Sequence, residues 1–178
     1  MKLGVDLIKL HPFDHLLIDR VTKAAGISKG LLFHYFPTKR AYQVAVIRAA
    51  ADELLDAIQP DESLDVLAQL RDGISAYIGY IEQQPASYLA ITRGAGSDDQ
   101  LMDVFEETRG KVVELITSRV DAPPSPLLTL VVRGWIANVE ESTFLWLRDE
   151  PCTRDELVDL LFAAAMSLLP TIERVTPT

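Results

Sequence analysis

Cysteine occurs once in the 178 residues, at Cys152. No internal disulfide can form, and a reducing compartment is implied. No apolar run is long enough to cross a bilayer, since the most apolar stretch, LVDLLFAAAMSLLPTI at 157–172, is broken by Asp159 and Pro170. The opening MKLGVDLIKLHPFD has neither a continuous apolar core nor a small-residue cleavage site, so it does not read as a signal peptide. These absences point to a soluble cytoplasmic protein with no membrane partner. The alternating patterns of strands are missing too, and no Asn-Gly or Asp-Gly pair separates two such runs.

Catalytic and metal-binding patterns are equally sparse. His11 and His15 lie four apart with Asp14 between them, but Pro12 breaks the helix that would bring them onto one face. RGAGSDD at 93–99 follows no strand, and Asp98-Asp99 would repel a phosphate, so a turn and a helix cap explain it. Serine, histidine and acidic residues show no nucleophile-elbow context. The expectation is a protein that is not an enzyme and needs neither metal nor cofactor.

What is present is an uneven charge. The chain carries net −9, yet residues 1–50 hold eight lysines and arginines against three aspartates, net +5. The other 128 residues hold nine basic against 23 acidic groups, net −14. A small basic module on an acidic body suits nucleic-acid binding by one end of the chain.

Helical periodicity runs through nearly the whole sequence, giving an all-α fold of about nine helices. They are expected near 2–10, 16–24, 28–36, 37–58, 64–84, 86–93, 98–120, 127–148 and 154–169. His11-Pro12 stops the first, and Gly26 suits a left-handed C-terminal position after the second, whose buried side would carry Leu17, Ile18, Val21 and Ala25. Ser28 caps the third and Pro37-Thr38 starts the fourth. Pro60 and Ser63 precede the fifth, Ser97 with Gln100 and Thr153 with Glu156 form capping boxes, and APPSP at 122–126 is a loop.

Helix, tight turn and short helix over 16–36 make a helix-turn-helix, whose second helix enters the major groove. This accounts for Lys29 and Lys39-Arg40 at two helix starts, where a cation is locally unfavourable unless a phosphate shares the site. Gly30 permits close approach, Leu32 and Phe36 face inward, and Leu31, His34 and Tyr35 are left on the nucleic-acid side. An αα-hairpin with LLFHYF as core is the competing reading of the spacing.

IDRVTKAAGISKGLLFHYFPTKRAY at 18–42 resembles the DNA-binding domain of the TetR family of bacterial transcriptional regulators. The matching positions are Ile18, Val21, Ala25 to Ser28, Gly30, Leu32, Tyr35-Phe36 and Lys39. The resemblance implies a homodimer on a palindromic double-stranded operator, usually a repressor released by a small ligand. It further implies that Ser28, Lys29, Gly30 and Leu31 face bases or nearby phosphates, and that His34, Tyr35, Thr38 and Lys39 meet the backbone. This chain has Leu16-Leu17 and Phe33 where the family usually has threonine and tyrosine, and Pro12 in place of the usual glycine. Each missing hydroxyl removes a phosphate contact, so a helical dimeric ligand-binding or interaction protein with weakened DNA binding is the alternative reading.

The expected division is a DNA-binding domain at 1–46 and a ligand-binding and dimerisation domain at 47–178. Helices 127–148 and 154–169 are apolar over more than one face, so a second subunit is expected against Leu130, Trp135, Phe144, Leu157, Leu161, Ala164 and Leu168. Gly73 and Gly79 beside Tyr77, Tyr80, Ile81, Tyr88 and Phe105, with Trp135 added, suggest a chamber for a small hydrophobic or aromatic effector. Close helix packing is the plainer reading of the glycines. Glu106-Glu107 and Glu140-Glu141 read as solvated faces, though a buried carboxylate there could select a cationic ligand.

Overall fold

The computed structural model describes residues 2–10, 18–85, 88, 99–123 and 125–175. All regular structure among them is helical: α1 Lys2–Leu10, α2 Ile18–Ala25, α3 Lys29–Tyr35, α4 Lys39–Ala57, α5 Val66–Glu82, α6 Asp99–Thr117, α7 Pro126–Asp149, α8 Arg154–Ser167 and α9 Leu169–Val175. The short helix expected over 86–93 lies outside the described residues save Tyr88, as do Ser97, Leu16, Leu17 and the group His11, Asp14 and His15. Among the described residues no helix is long and apolar enough to cross a membrane.

Two compact units divide the chain, Met1–Leu54 with Ile81–Glu106 and Leu55–Tyr80 with Glu107–Thr178. The first closes around Val5, Val21, Leu32, Tyr42 and Val46, joined by Leu101 and Val104 of α6. Its tightest approach is at Gly4, where a Cβ would stand 2.5 Å from the Tyr42 hydroxyl and 2.7 Å from a Val46 methyl. Only a residue without a side chain lets α1 lie this close to α4. Burial pushes the Tyr42 phenol up from its ordinary pKa, and its ring meets Phe36 edge-on at 5.2 Å.

The second unit has the larger core, in which α7 supplies Leu128, Val132, Trp135, Ile136, Val139 and Trp146. Ile74 and Ile78 of α5 and Leu157, Val158 and Leu161 of α8 pack on them. Both indoles are satisfied: Trp135 Nε1–H donates to the Leu161 carbonyl at 3.2 Å and Trp146 Nε1–H to the Cys152 carbonyl at 2.9 Å. Between α6 and α7, Arg109 grips Glu140 with two hydrogen bonds of 3.2 and 2.7 Å. Glu140 is therefore half-buried and neutralised, which corrects its reading as a solvated or cation-selecting carboxylate.

Helix ends follow local chemistry. Ser125 caps α7 ahead of Pro126, accepting from Leu128 N–H at 3.0 Å. Thr153 and Glu156 form the expected capping box of α8. The start of α5 is two residues later than expected, because Asp65 receives the N–H groups of Leu67 and Ala68 at 3.0 and 2.9 Å. Ser63 instead turns onto Asp61, donating from N–H and Oγ–H at 2.9 and 2.6 Å. Pro170 does not end the helical region, since it is the second residue of α9, where a missing N–H is no loss.

Candidate nucleic-acid interface

The turn between α2 and α3 is built from the backbone outward. Gly26 takes φ 64°, the left-handed conformation. Its N–H donates to the Lys23 carbonyl at 3.3 Å, and Ile27 N–H reaches the Thr22 carbonyl at 3.0 Å. These two bonds are those of a Schellman motif, which ends α2 and swings the chain into α3. Ser28 then caps α3, its Oγ accepting from Leu31 N–H at 3.1 Å. Thr38 repeats the device for α4, accepting from Ala41 N–H at 2.9 Å.

One residue anchors α3. Leu32 is buried in the first core with Phe36 packed half-buried beside it, as their spacing predicts. Ser28, Lys29, Gly30, Leu31, His34, Tyr35, Thr38 and Lys39 are all exposed. Tyr35 is 71% exposed, with His34 edge-on to it at 5.3 Å. Phe33 is exposed as well, an apolar ring on a polar face. Ala25, expected inside α2, is exposed; Thr22 takes the buried position and satisfies its hydroxyl on the Ile18 carbonyl at 3.0 Å.

The charge on this face is not what the basic residues alone suggest. Lys29 is ion-paired with Asp19 in the first turn of α2, and both side chains are well exposed. The pairing spans the turn, so no helical spacing signals it. It offsets the misplacement of a lysine at the start of α3.

The expected dimer residues separate by burial. Trp135, Phe144, Leu157 and Leu161 are buried within a single chain, where they pack as core. Ala164 and Leu168 pack half-buried on the same core. Leu130 is 66% exposed. It belongs to an outward stripe on α7 with Leu127, Gly134, Ala137 and Leu145, and α8 adds Leu160 and Ala163. A continuously apolar helix conceals which stripe faces in, and that is why the sequence selected core residues.

The expected pocket residues are shared between units: Tyr77, Tyr80 and Trp135 in the second, Ile81, Tyr88 and Phe105 in the first. Tyr77 and Trp135 pack in the second core, and Phe105 packs on the first. Space over Gly79 is occupied by the Arg154 guanidinium, so this glycine serves helix packing. An open cleft of about 370 Å³ in the first unit is lined by Ala41, Val44, Arg48, Gln100 and Asp103, none of them an expected pocket residue. Among the described residues no three His, Cys, Asp or Glu side chains gather as metal ligands.

A helix-turn-helix with an anchored, outward-facing second helix, joined to a larger helical unit, defines a DNA-binding transcriptional regulator. The model of bacterial regulatory proteins of the tetR family matches residues 1–42, and that of the tetracyclin repressor-like C-terminal domain matches residues 66–168. The chain belongs to the TetR family. A TetR-family transcriptional regulator from Streptomyces coelicolor is similar in structure, with TM-score 0.86 and 27% identity over 98% of this chain and 80% of that one. The HTH-type transcriptional activator FasR of Mycolicibacterium smegmatis is 24% identical over 150 residues, 80% of this chain and 68% of its own length. The TetR-like regulator LfrR from Mycobacterium smegmatis, solved with proflavine, shares the fold at TM-score 0.60 and 19% identity over 93% of each chain.

Proposed function

We propose that the chain is a homodimeric, ligand-released repressor that places two copies of α3 in successive major grooves of a palindromic operator. The observation that carries this reading is the outer face of α3 and its flanks. Eight residues of the expected contact set are exposed together while Leu32 holds the helix from behind. Residues 1–46 serve DNA binding, and 47–178 serve effector binding and dimerisation. The dimer forms through Leu127, Leu130 and Leu145 of α7 and Leu160 of α8, the apolar side chains these helices leave uncovered. A small hydrophobic or aromatic molecule is the effector, a reading supported by the proflavine held by LfrR.

The test is binding to duplex DNA from around the chain's own coding region, titrated from about 50 to 200 mM salt, followed by footprinting. Sequence-preferring binding that falls steeply with salt, protection of two half-sites about 10 bp apart, and release by a screened effector are expected. Absence of duplex binding at low salt would leave a helical dimer that binds ligand alone.

A further inference from the structure

We infer that Asp19 restrains sequence-independent DNA binding by competing with the phosphate backbone for Lys29. The inference rests on the reading of α3 as the DNA-contacting helix. Two lysines begin helices on this face, and the structure treats them differently. Lys29 is ion-paired with Asp19, whereas Lys39 has no carboxylate partner among the described residues. The paired groups are far from buried, with side-chain exposures of 61% for Lys29 and 69% for Asp19. Lys29 stands between Ser28 and Gly30, both exposed at the start of α3, and Asp19 is held beside it by the ion pair.

Affinity for arbitrary sequence comes from cations that replace the counterions condensed on DNA, about 0.9 released per phosphate neutralised. Lys39 brings one such charge. Lys29 and Asp19 together bring none: to reach a phosphate, the ammonium must leave a carboxylate, and that carboxylate is left facing the same polyanion. Lys29 is thereby withdrawn from the sequence-independent attraction. Base-edge and apolar contacts by other α3 residues do not depend on it.

The experiment measures binding to an unrelated duplex between about 50 and 200 mM salt for the wild type, Asp19→Asn, Lys29→Ala, Lys39→Ala and the Asp19→Asn/Lys29→Ala double variant. Asp19→Asn is expected to bind more tightly, with a salt slope steeper by about one. Its advantage should then grow about threefold to fourfold on going from 200 to 50 mM. Lys39→Ala should flatten the wild-type slope by about one and Lys29→Ala by clearly less, while in the Asp19→Asn background Lys29→Ala should cost the full step. The two lysine variants keep the test decisive even where Asp19→Asn folds poorly.

Equal flattening by Lys29→Ala and Lys39→Ala in the wild type, or unchanged or weaker binding by a folded Asp19→Asn, overturns the inference while leaving α3 as the DNA-binding helix. No binding by any of the proteins at 50 mM salt overturns that reading and the inference with it.

Discussion

The Arg154 guanidinium of α8 lies against the backbone of α5 at Gly79: a Cβ there would stand 2.9 Å from Arg154 Nη2. From this position Nη2 donates to the Ser75 carbonyl at 2.8 Å and to Ser75 Oγ at 3.1 Å. Glycine inside a helix is about 1 kcal/mol less favourable than alanine, and here the close approach of a charged group accounts for it. Gly79→Ala should displace the guanidinium and destabilise the protein by about 1–2 kcal/mol, because hydrogen bonds to a charged donor outweigh the propensity gain. In an Arg154→Ala background the same change should become stabilising. Urea unfolding of the four proteins checks the reversal of sign.

Gly26 and Gly30 sit four residues apart and do different work. Gly26 has φ 64° and open space around its Cα, so Gly26→Ala strains only the backbone, by about 1–2 kcal/mol. Gly30 is helical, and a Cβ there would meet nothing closer than Ser28 Oγ at 3.8 Å. Gly30→Ala should leave the melting temperature unchanged or raise it, and yet weaken DNA binding by placing a methyl on the approaching face. Calorimetry and DNA titration of both variants separate the two roles; a loss of stability in Gly30→Ala would contradict this assignment.

Leu130→Glu, at a position 66% exposed in one chain, should leave the fold intact and prevent association. Leu161→Glu, at a position 1% exposed, should unfold the chain. Light scattering should give about twice 19.7 kDa for the wild type and the single-chain mass for Leu130→Glu. A dimer that survives Leu130→Glu combined with Leu160→Glu would move the interface elsewhere.

The features legible in the sequence are those set by near neighbours. Ser28, Gly26, Thr38 and the Thr153–Glu156 box act within a few residues of themselves, so their spacing announces them. Leu32 and Phe36 are legible for the same reason. The Lys29–Asp19 pair crosses a turn, and Arg154 reaches back 79 residues to Ser75, so neither leaves a periodic trace. α7 and α8 are apolar over more than one face, and only packing reveals that Trp135 and Leu161 are core while Leu130 and Leu160 are surface. Pro170 misleads as a stop because the first turn of a new helix tolerates proline as readily as a loop does.

Thr143 is wholly buried on α7, and its hydroxyl has no hydrogen-bond partner among the described residues. An unmet buried hydroxyl costs about 1–3 kcal/mol, and valine has nearly the same shape without it. Thr143→Val should raise the melting temperature by about 2 °C or more for a chain of this size. A lower melting temperature would show that the hydroxyl is satisfied in solution, by water or by an effector.

Glu156 closes the α8 capping box by accepting from the backbone N–H and the hydroxyl of Thr153, both at 2.8 Å. These bonds favour the carboxylate and hold its pKa below the ordinary glutamate value, the backbone bond first and the side-chain bond second. A group whose pKa is depressed by folding stabilises the native state fully above its unfolded pKa and loses that contribution as pH falls through the folded one. The stabilisation from Glu156 should therefore be complete at pH 7 and decline from about pH 5 downward, through the usual glutamate range near 4.3. Glu156→Gln keeps an acceptor but cannot titrate, so the wild type should melt higher at pH 7 and the gap should narrow as pH falls below the usual glutamate range. Paired melting curves across that range decide it: a gap that stays constant would mean the carboxylate charge contributes nothing to the cap.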